Sequence, residues 1–226
     1  MFTDKWNNYI INQAKFIEAN RSDLFHQLYI DFVRKNPNIK SILEIGPGQL
    51  VEYPDIKKIR TFNYTVVEIS KPFIEFIKSK YPEITIVESS IEDYDHLNTY
   101  DLVRVCDVIE HTFPVVTAIK KIICSAKRFH ITMFKWHTGD GKLDSTIRID
   151  SDGIEYYSTI FPITQILHEI EKYGTIESTS VVIKDDNTVV PFGEYWLDNN
   201  FSERPAQKST RGHRLIITGT RNETPN

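Results

Sequence analysis

At 226 residues with 40% hydrophobic content, the chain is long enough for one full α/β domain and too short for two ordinary ones. Its formal net charge of -4 provides no global attraction to phosphate backbones, so a nucleic-acid partner is not expected, and Lys120, Lys121, Lys127 and Arg128 read as a solvated helix face. No apolar run approaches the roughly 20 residues that cross a bilayer, and the opening MFTDKWNNYI has neither a basic nor an apolar signal region, so a cytoplasmic protein without membrane contact is expected.

From Trp6 to Val33 apolar residues recur at helical spacing, broken at Asn20, Arg21 and Ser22, which predicts two helices before any strand. NPNIK breaks the pattern, and SILEIG is a short apolar run ending in glycine, as a buried strand feeding a tight turn would be. TFNYTVVEI reads as a second strand. The amphipathic KPFIEFIKSKYP follows, opened by Pro72 in its first turn and closed by Pro82. ITIVES, YDLVRVCDVI and RFHITMF supply the third to fifth strands, with FPVVTAIKKIICSA as the helix between the last two. GIEYYSTIFPITQILHEIEKYG reads as a loop and then a helix capped by Gly174. IESTSVVIKD and HRLIITGTR are expected to close the sheet as antiparallel strands, with the polar stretch from Asp186 to Thr210 as a functional loop or insert between them.

Strands alternating with helices imply a mostly parallel sheet covered on both faces. The expected fold is α/β, Rossmann-like and doubly wound, with seven strands, an antiparallel C-terminal strand and helices on both faces. Within one domain, residues 1–38 form an N-terminal helical lid, 39–134 a cofactor-binding half and 135–226 a substrate-side half. Cys106 and Cys124 lie in apolar surroundings without a CxxC or Cys/His spacing, and read as buried thiols rather than a disulfide or zinc site.

ILEIGPGQL places Glu44 and Gly46 at the carboxyl end of the first strand, with Gly48 beyond. Glycines there permit positive φ and close approach of a ligand to the backbone. Glu68 ends the second strand 20 residues after Gly48, where a carboxylate accepts hydrogen bonds from both hydroxyls of a ribose. The dinucleotide fingerprint asks for a third glycine at position 51, where Val51 stands, and Glu44 would repel a pyrophosphate while suiting an ammonium, so a nicotinamide dinucleotide fits poorly.

Through EIGPG, VVEIS, ESSIEDYD and DLVRVCDVIEHT, residues 41 to 130 resemble the class I S-adenosylmethionine-dependent methyltransferases. The resemblance implies S-adenosylmethionine as cofactor. By the same resemblance Glu44, Gly46 and Gly48 line its methionine and ribose side, Glu68 holds the ribose hydroxyls and Ile69 flanks the adenine. Ser90 and Ile91 then lie near the adenine ring, and Cys106 and Asp107 near the methionine part. One position departs: Leu50 stands where the family frequently has a third glycine, and Pro47 stiffens the loop. A non-catalytic module that binds the cofactor or reuses the fold therefore stands as the alternative.

Methyl transfer from a sulfonium asks the protein to align nucleophile and methyl and, for a hydroxyl, to remove a proton. His111, just past the fourth strand, and His137, just past the fifth, are the candidate bases, each with packing or capping as its structural role. Trp136, Tyr156 and Tyr157 are candidate walls of an acceptor pocket, with core packing as the other reading. Asp107, Glu110 and His111 also resemble the metal-binding segment of some O-methyltransferases, but no further ligand has convincing spacing, so the expectation is no metal, with a divalent-metal-dependent O-methyltransferase as a further alternative. The sequence lacks the Asn-Pro-Pro-Tyr, Asp-Pro-Pro-Tyr and Pro-Cys segments of DNA methyltransferases. The expected partner is a small-molecule acceptor, a sugar or other metabolite.

Overall fold

The computed structural model describes residues 23–95, 99–134, 136–137, 144–149, 155–183, 188–193 and 213–223. Helix α1 (Leu24–Lys35) precedes strand β1 (Ser41–Ile45), and α2 (Tyr53–Ile59) leads to β2 (Asn63–Glu68). Then come α3 (Lys71–Lys80), β3 (Thr85–Glu88), β4 (Tyr100–Cys106), a 3₁₀ turn (Ile109–His111), α4 (Val115–Ser125) and β5 (Ala126–Met133). The remainder runs β6 (Trp136–His137), β7 (Asp144–Ile149), β8 (Glu155–Pro162), α5 (Ile163–Glu171), β9 (Gly174–Ile183), β10 (Thr188–Pro191) and β11 (Arg214–Arg221).

Eight strands form one sheet in the order β10-β9-β11-β5-β4-β1-β2-β3. The five from β3 to β5 are parallel, whereas β11 runs antiparallel to both β5 and β9. Side chains along a strand alternate between faces, so each central strand feeds two cores. Leu43, Ile45, Val103, Val105, Phe129 and Ile131 pack beneath α4 and α5 with Ile119, Ile122, Ile123 and Ile166. Ile42, Tyr64, Val66 and Leu102 face the other way, onto Tyr29, Ile30 and Val33 of α1 and onto Tyr53, Ile56 and Ile77. Helix α1 is thus a core element on one sheet face; the earlier helix expected from Trp6 lies outside the described residues.

The doubly wound architecture matches the expectation, with local differences. The main sheet has eight strands rather than seven because Thr188–Pro191, inside the stretch read as polar insert, pairs with β9. Residues 155–162, expected as a loop, form β8, which pairs antiparallel with β7 and parallel with β6 in a separate three-stranded sheet. Helix α2 was not expected. It is seven residues long and buries only Tyr53 and Ile56, too short to display a helical period. Gly174 opens β9 rather than capping α5: a Cβ there would lie 2.8 Å from the Thr220 carbonyl and 2.9 Å from the Phe129 ring, so close strand approach requires the glycine. No helix among the described residues is long and apolar enough to cross a membrane.

Candidate functional site

The chain leaves β1 toward β2 on one side and returns through β4 on the other, so the carboxyl ends of β1 and β4 flank the crevice of a topological switch point. The loop after β1 lies there. Gly46 (φ 60°) and Gly48 (φ 55°) both take the left-handed conformation. The Gly46 N–H donates to the Val67 carbonyl at 2.8 Å. A Cβ on Gly46 would lie 2.6 Å from Val108 Cγ2, just past β4, so the absence of a side chain lets the two strand ends approach. Leu50 (φ 53°) adopts the same unusual backbone and is fully buried against the α1 and α2 core. A left-handed conformation that glycine adopts most readily is therefore held here by the burial of a leucine.

Glu68 joins this loop to the end of β2. Its Oε1 accepts N–H bonds from Ile69 at 2.8 Å and Ser70 at 2.9 Å, and its Oε2 accepts the Gly48 N–H at 3.3 Å. Burial raises its pKa, against the lowering effect of those three donors. The Oε2 side carries the one long bond and retains acceptor capacity. On the far side the Ser89 N–H donates to the Glu68 carbonyl at 3.2 Å, and Ser90 Oγ bonds to Asp93 Oδ2 at 2.9 Å. Ile91 is buried in the core. Glu68, Ile69, Ser90 and Ile91 thus come from adjoining strand ends.

Glu44 is placed differently from its neighbours. Its carboxyl is 2% exposed, on the α1 side of the sheet, and accepts a bond from the Tyr64 hydroxyl. Burial and the nearby Glu52 carboxylate push its pKa up to about 8. It borders a buried charge network that the sequence did not signal. Arg104 of β4, fully buried, donates to Thr132 Oγ1 at 2.6 Å, the Val105 carbonyl at 3.0 Å and Glu52 at 3.2 Å. Its guanidinium lies 4.6 Å from the centre of the Tyr29 ring. Glu52 also pairs with His26 Nδ1 at 2.7 Å. Although burial alone would raise it, the bond and charge from His26 and the charge of Arg104 hold the Glu52 pKa down at about 2. His130, 3.2 Å from Arg104, is kept neutral by burial and that cation. The network ties α1 and the start of α2 to the centre of the sheet.

Past β4, Asp107 has positive φ (55°), its N–H donates to the Thr132 carbonyl at 2.9 Å, and its Oδ2 is 3.0 Å from Nε of Arg214. Its other carboxylate oxygen is buried without a hydrogen-bond partner among the described residues. Burial drives the Cys106 thiol pKa well up, which leaves it un-ionised and a poor nucleophile. Glu110, fully buried, accepts the Phe134 N–H at 2.6 Å and so pins the segment after β5 to the turn after β4. His111 closes that turn, half-buried, its ring 6.3 Å from the Phe134 ring. Among the described residues no group of three or more His, Cys, Asp or Glu side chains is placed to hold a metal ion, Asp107, Glu110 and His111 included.

Of the residues expected on the acceptor side, Trp136 is 2% exposed, in the core beneath α4 and α5, with its ring 6.1 Å from Phe192. Backbone pairing sets Trp136 and His137 beside Phe161 and Pro162, and Tyr156 and Tyr157 beside Arg148 and Ile147. The side chains of His137, Tyr156 and Tyr157 lie outside those described.

No family profile and no curated protein sequence matches the chain. Solved structures do. Burkholderia thailandensis 1,6-didemethyltoxoflavin-N1-methyltransferase, with 1,6-didemethyltoxoflavin and S-adenosylhomocysteine bound, superposes with a TM-score of 0.61 at 12% identity, over 96% of this chain and 87% of that one. The N-terminal domain of EvdMO1 with S-adenosylhomocysteine bound gives 0.60 at 11% identity, over 88% and 81%. An S-adenosylmethionine-dependent methyltransferase from Mesorhizobium loti gives 0.56 at 12% identity, over 85% and 96%. The chain has the class I methyltransferase fold. In this methyltransferase-like chain the glycine loop, Glu68 and Asp107 occupy the ends of β1, β2 and β4, and the antiparallel β11 inserted between β5 and β9 completes the sheet.

Proposed function

We propose that the chain is an S-adenosylmethionine-dependent methyltransferase acting on oxygen or nitrogen of a small-molecule acceptor. The observation that carries the reading is the loop from Gly46 to Leu50: three left-handed residues at the switch point, tied through Gly48 to the carboxylate of Glu68. The buried Asp107 oxygen without a partner fits a cationic ligand group at the same edge.

In this reading Glu68 holds the ribose hydroxyls, Ile69, Ser90 and Ile91 border the adenine, and Gly46, Gly48, Cys106 and Asp107 border the methionine end. Glu44 acts from behind the loop, through Tyr64, at the end of β1. Bound S-adenosylmethionine supplies a methyl group already activated on a sulfonium. The chain's own contribution is alignment of the acceptor atom and, for a hydroxyl or ammonium acceptor, removal of its proton by His111 or His137. Tyr156 and Tyr157 then belong to the acceptor side, and Trp136 supports it from the core. A small-molecule acceptor agrees with the net charge of -4 and with the 1,6-didemethyltoxoflavin bound to the Burkholderia protein.

The test is methyl transfer from radiolabelled S-adenosylmethionine to a panel of hydroxyl- and amine-bearing metabolites, with His111→Gln and His137→Gln run beside the wild type. Transfer to a panel member, reduced in one histidine variant, supports the enzyme. Cofactor binding with no transfer over a broad panel favours the non-catalytic alternative.

A further inference from the structure

Glu52 stands two residues after Leu50, the third left-handed residue of the glycine loop, and directly before α2. An acidic side chain at that position can turn back to the free N–H groups of its own helix, yet Glu52 makes no such capping bond. It is buried instead. One oxygen, Oε1, lies 2.7 Å from Nδ1 of His26 and 3.2 Å from the Arg104 guanidinium. His26 is in the first turn of α1 and Arg104 in the middle of β4, both buried. The other wall of the crevice hangs from the same group: Arg104 donates to Thr132 Oγ1 at 2.6 Å, and the Thr132 carbonyl accepts the Asp107 N–H at 2.9 Å. Glu52 thus ties the end of the loop to α1 directly, and to the turn after β4 through Arg104 and Thr132.

Adhesion of α1 to the sheet does not require these charges. Tyr29, Ile30 and Val33 already bury an apolar face in the same core as Leu50 and Ile56, and taking ions out of water is costly. What the ionic contacts add is direction, since an apolar contact tolerates sliding whereas two bonds converging on one carboxylate oxygen fix where it sits. We propose that Glu52 is a positioning residue for the cofactor loop, held from α1 by His26, so that docking of α1 on the sheet and occupancy of the crevice favour one another. The inference rests on the S-adenosylmethionine reading above. His26 touches no ligand; it acts through Glu52 on the loop that ends at Leu50. Because such coupling is reciprocal, a cofactor that binds the loop must also stabilise the docked α1.

The test titrates S-adenosylhomocysteine into four proteins by calorimetry. They are the wild type, His26→Leu, which removes the donor, His26→Asn, whose amide nitrogen can replace Nδ1, and Val33→Ala, which loosens α1 without touching Glu52. His26→Leu should lose about 5- to 100-fold in affinity, the usual size of a coupling between sites, and His26→Asn should recover most of that loss. Val33→Ala, which lowers stability alone, should stay within about 2-fold of the wild type. Hydrogen exchange gives a second readout that needs no variant: saturating S-adenosylhomocysteine should protect the amides of α1 more than those of α5 on the other sheet face. Equal losses in His26→Leu and Val33→Ala, unchanged affinity in His26→Leu, or equal protection of α1 and α5 overturn the coupling and leave the cofactor reading standing. Failure of the wild type to bind S-adenosylhomocysteine overturns both.

Discussion

Replacement of Gly46 by alanine tests the geometry that brings the ends of β1 and β4 together. Two costs act at this position. A left-handed alanine costs about 1–2 kcal/mol relative to its ordinary backbone, and the same cost applies at Gly48, whose φ of 55° is close to the 60° of Gly46. The second cost is steric and falls on Gly46 alone: its Cβ would lie 2.6 Å from Val108 Cγ2, whereas at Gly48 the nearest atom, Phe73 Cζ, is an ordinary 3.7 Å away. Overpacking of that kind costs about 1–3 kcal/mol. Gly46→Ala should therefore lower the unfolding free energy by about 2–5 kcal/mol and Gly48→Ala by about 1–2 kcal/mol. In a double-mutant cycle, Val108→Ala should recover the difference, a coupling of about 1–3 kcal/mol. Urea denaturation followed by circular dichroism reads the wild type, the three single variants and the Gly46→Ala/Val108→Ala double variant. Equal losses at the two glycines, or strict additivity with Val108→Ala, would refute the reasoning.

Leu50→Ala loses buried methyl groups while keeping the left-handed strain, at about 2–5 kcal/mol. Leu50→Gly releases that strain and should be no less stable than Leu50→Ala, the reverse of the usual order, as denaturant midpoints will show. Because the Glu44 carboxyl titrates at about 8 in the fold against an ordinary 4.5, the stability it contributes is fully present below 4.5 and is lost as pH rises through 8. Glu44→Gln should flatten that slope and stabilise the protein at neutral pH, checked by thermal melts from pH 5 to pH 8. Arg104→Met leaves the Glu52 carboxylate with His26 alone and should destabilise by about 3–5 kcal/mol, the cost of a broken buried pair. The double variant Arg104→Met with Glu52→Gln should recover part of this in urea denaturation.

The parallel half of the sheet was legible because its signals are local. Gly46, Gly48 and the following Glu68 sit on one βαβ unit, where spacing along the chain translates directly into adjacency at strand ends. The elements that escaped are short or contradictory in pattern. Helix α2 has only two buried residues, and β8 ends in Pro162, a residue that demotes a strand reading. Burial was hardest to foresee. Arg104 looks like the polar interruption of an apolar strand, and its partners Glu52 and His130 become visible only when the start of α2, β4 and β5 are assembled. Trp136 offered an aromatic at a promising edge, but the pairing of β6 with β8 draws its ring into the core. Arg214 is half the chain away from Asp107, and only the antiparallel return of β11 brings them together.

The most direct test of the central claim is titration of S-adenosylhomocysteine into the wild type and Glu68→Gln, with NAD as the competing ligand. The account predicts micromolar binding of S-adenosylhomocysteine to the wild type, at least about tenfold weaker in Glu68→Gln, where the ribose loses a charged acceptor, and no comparable binding of NAD. Absent S-adenosylhomocysteine binding, a preference for NAD, or equal affinity in the two proteins would contradict it.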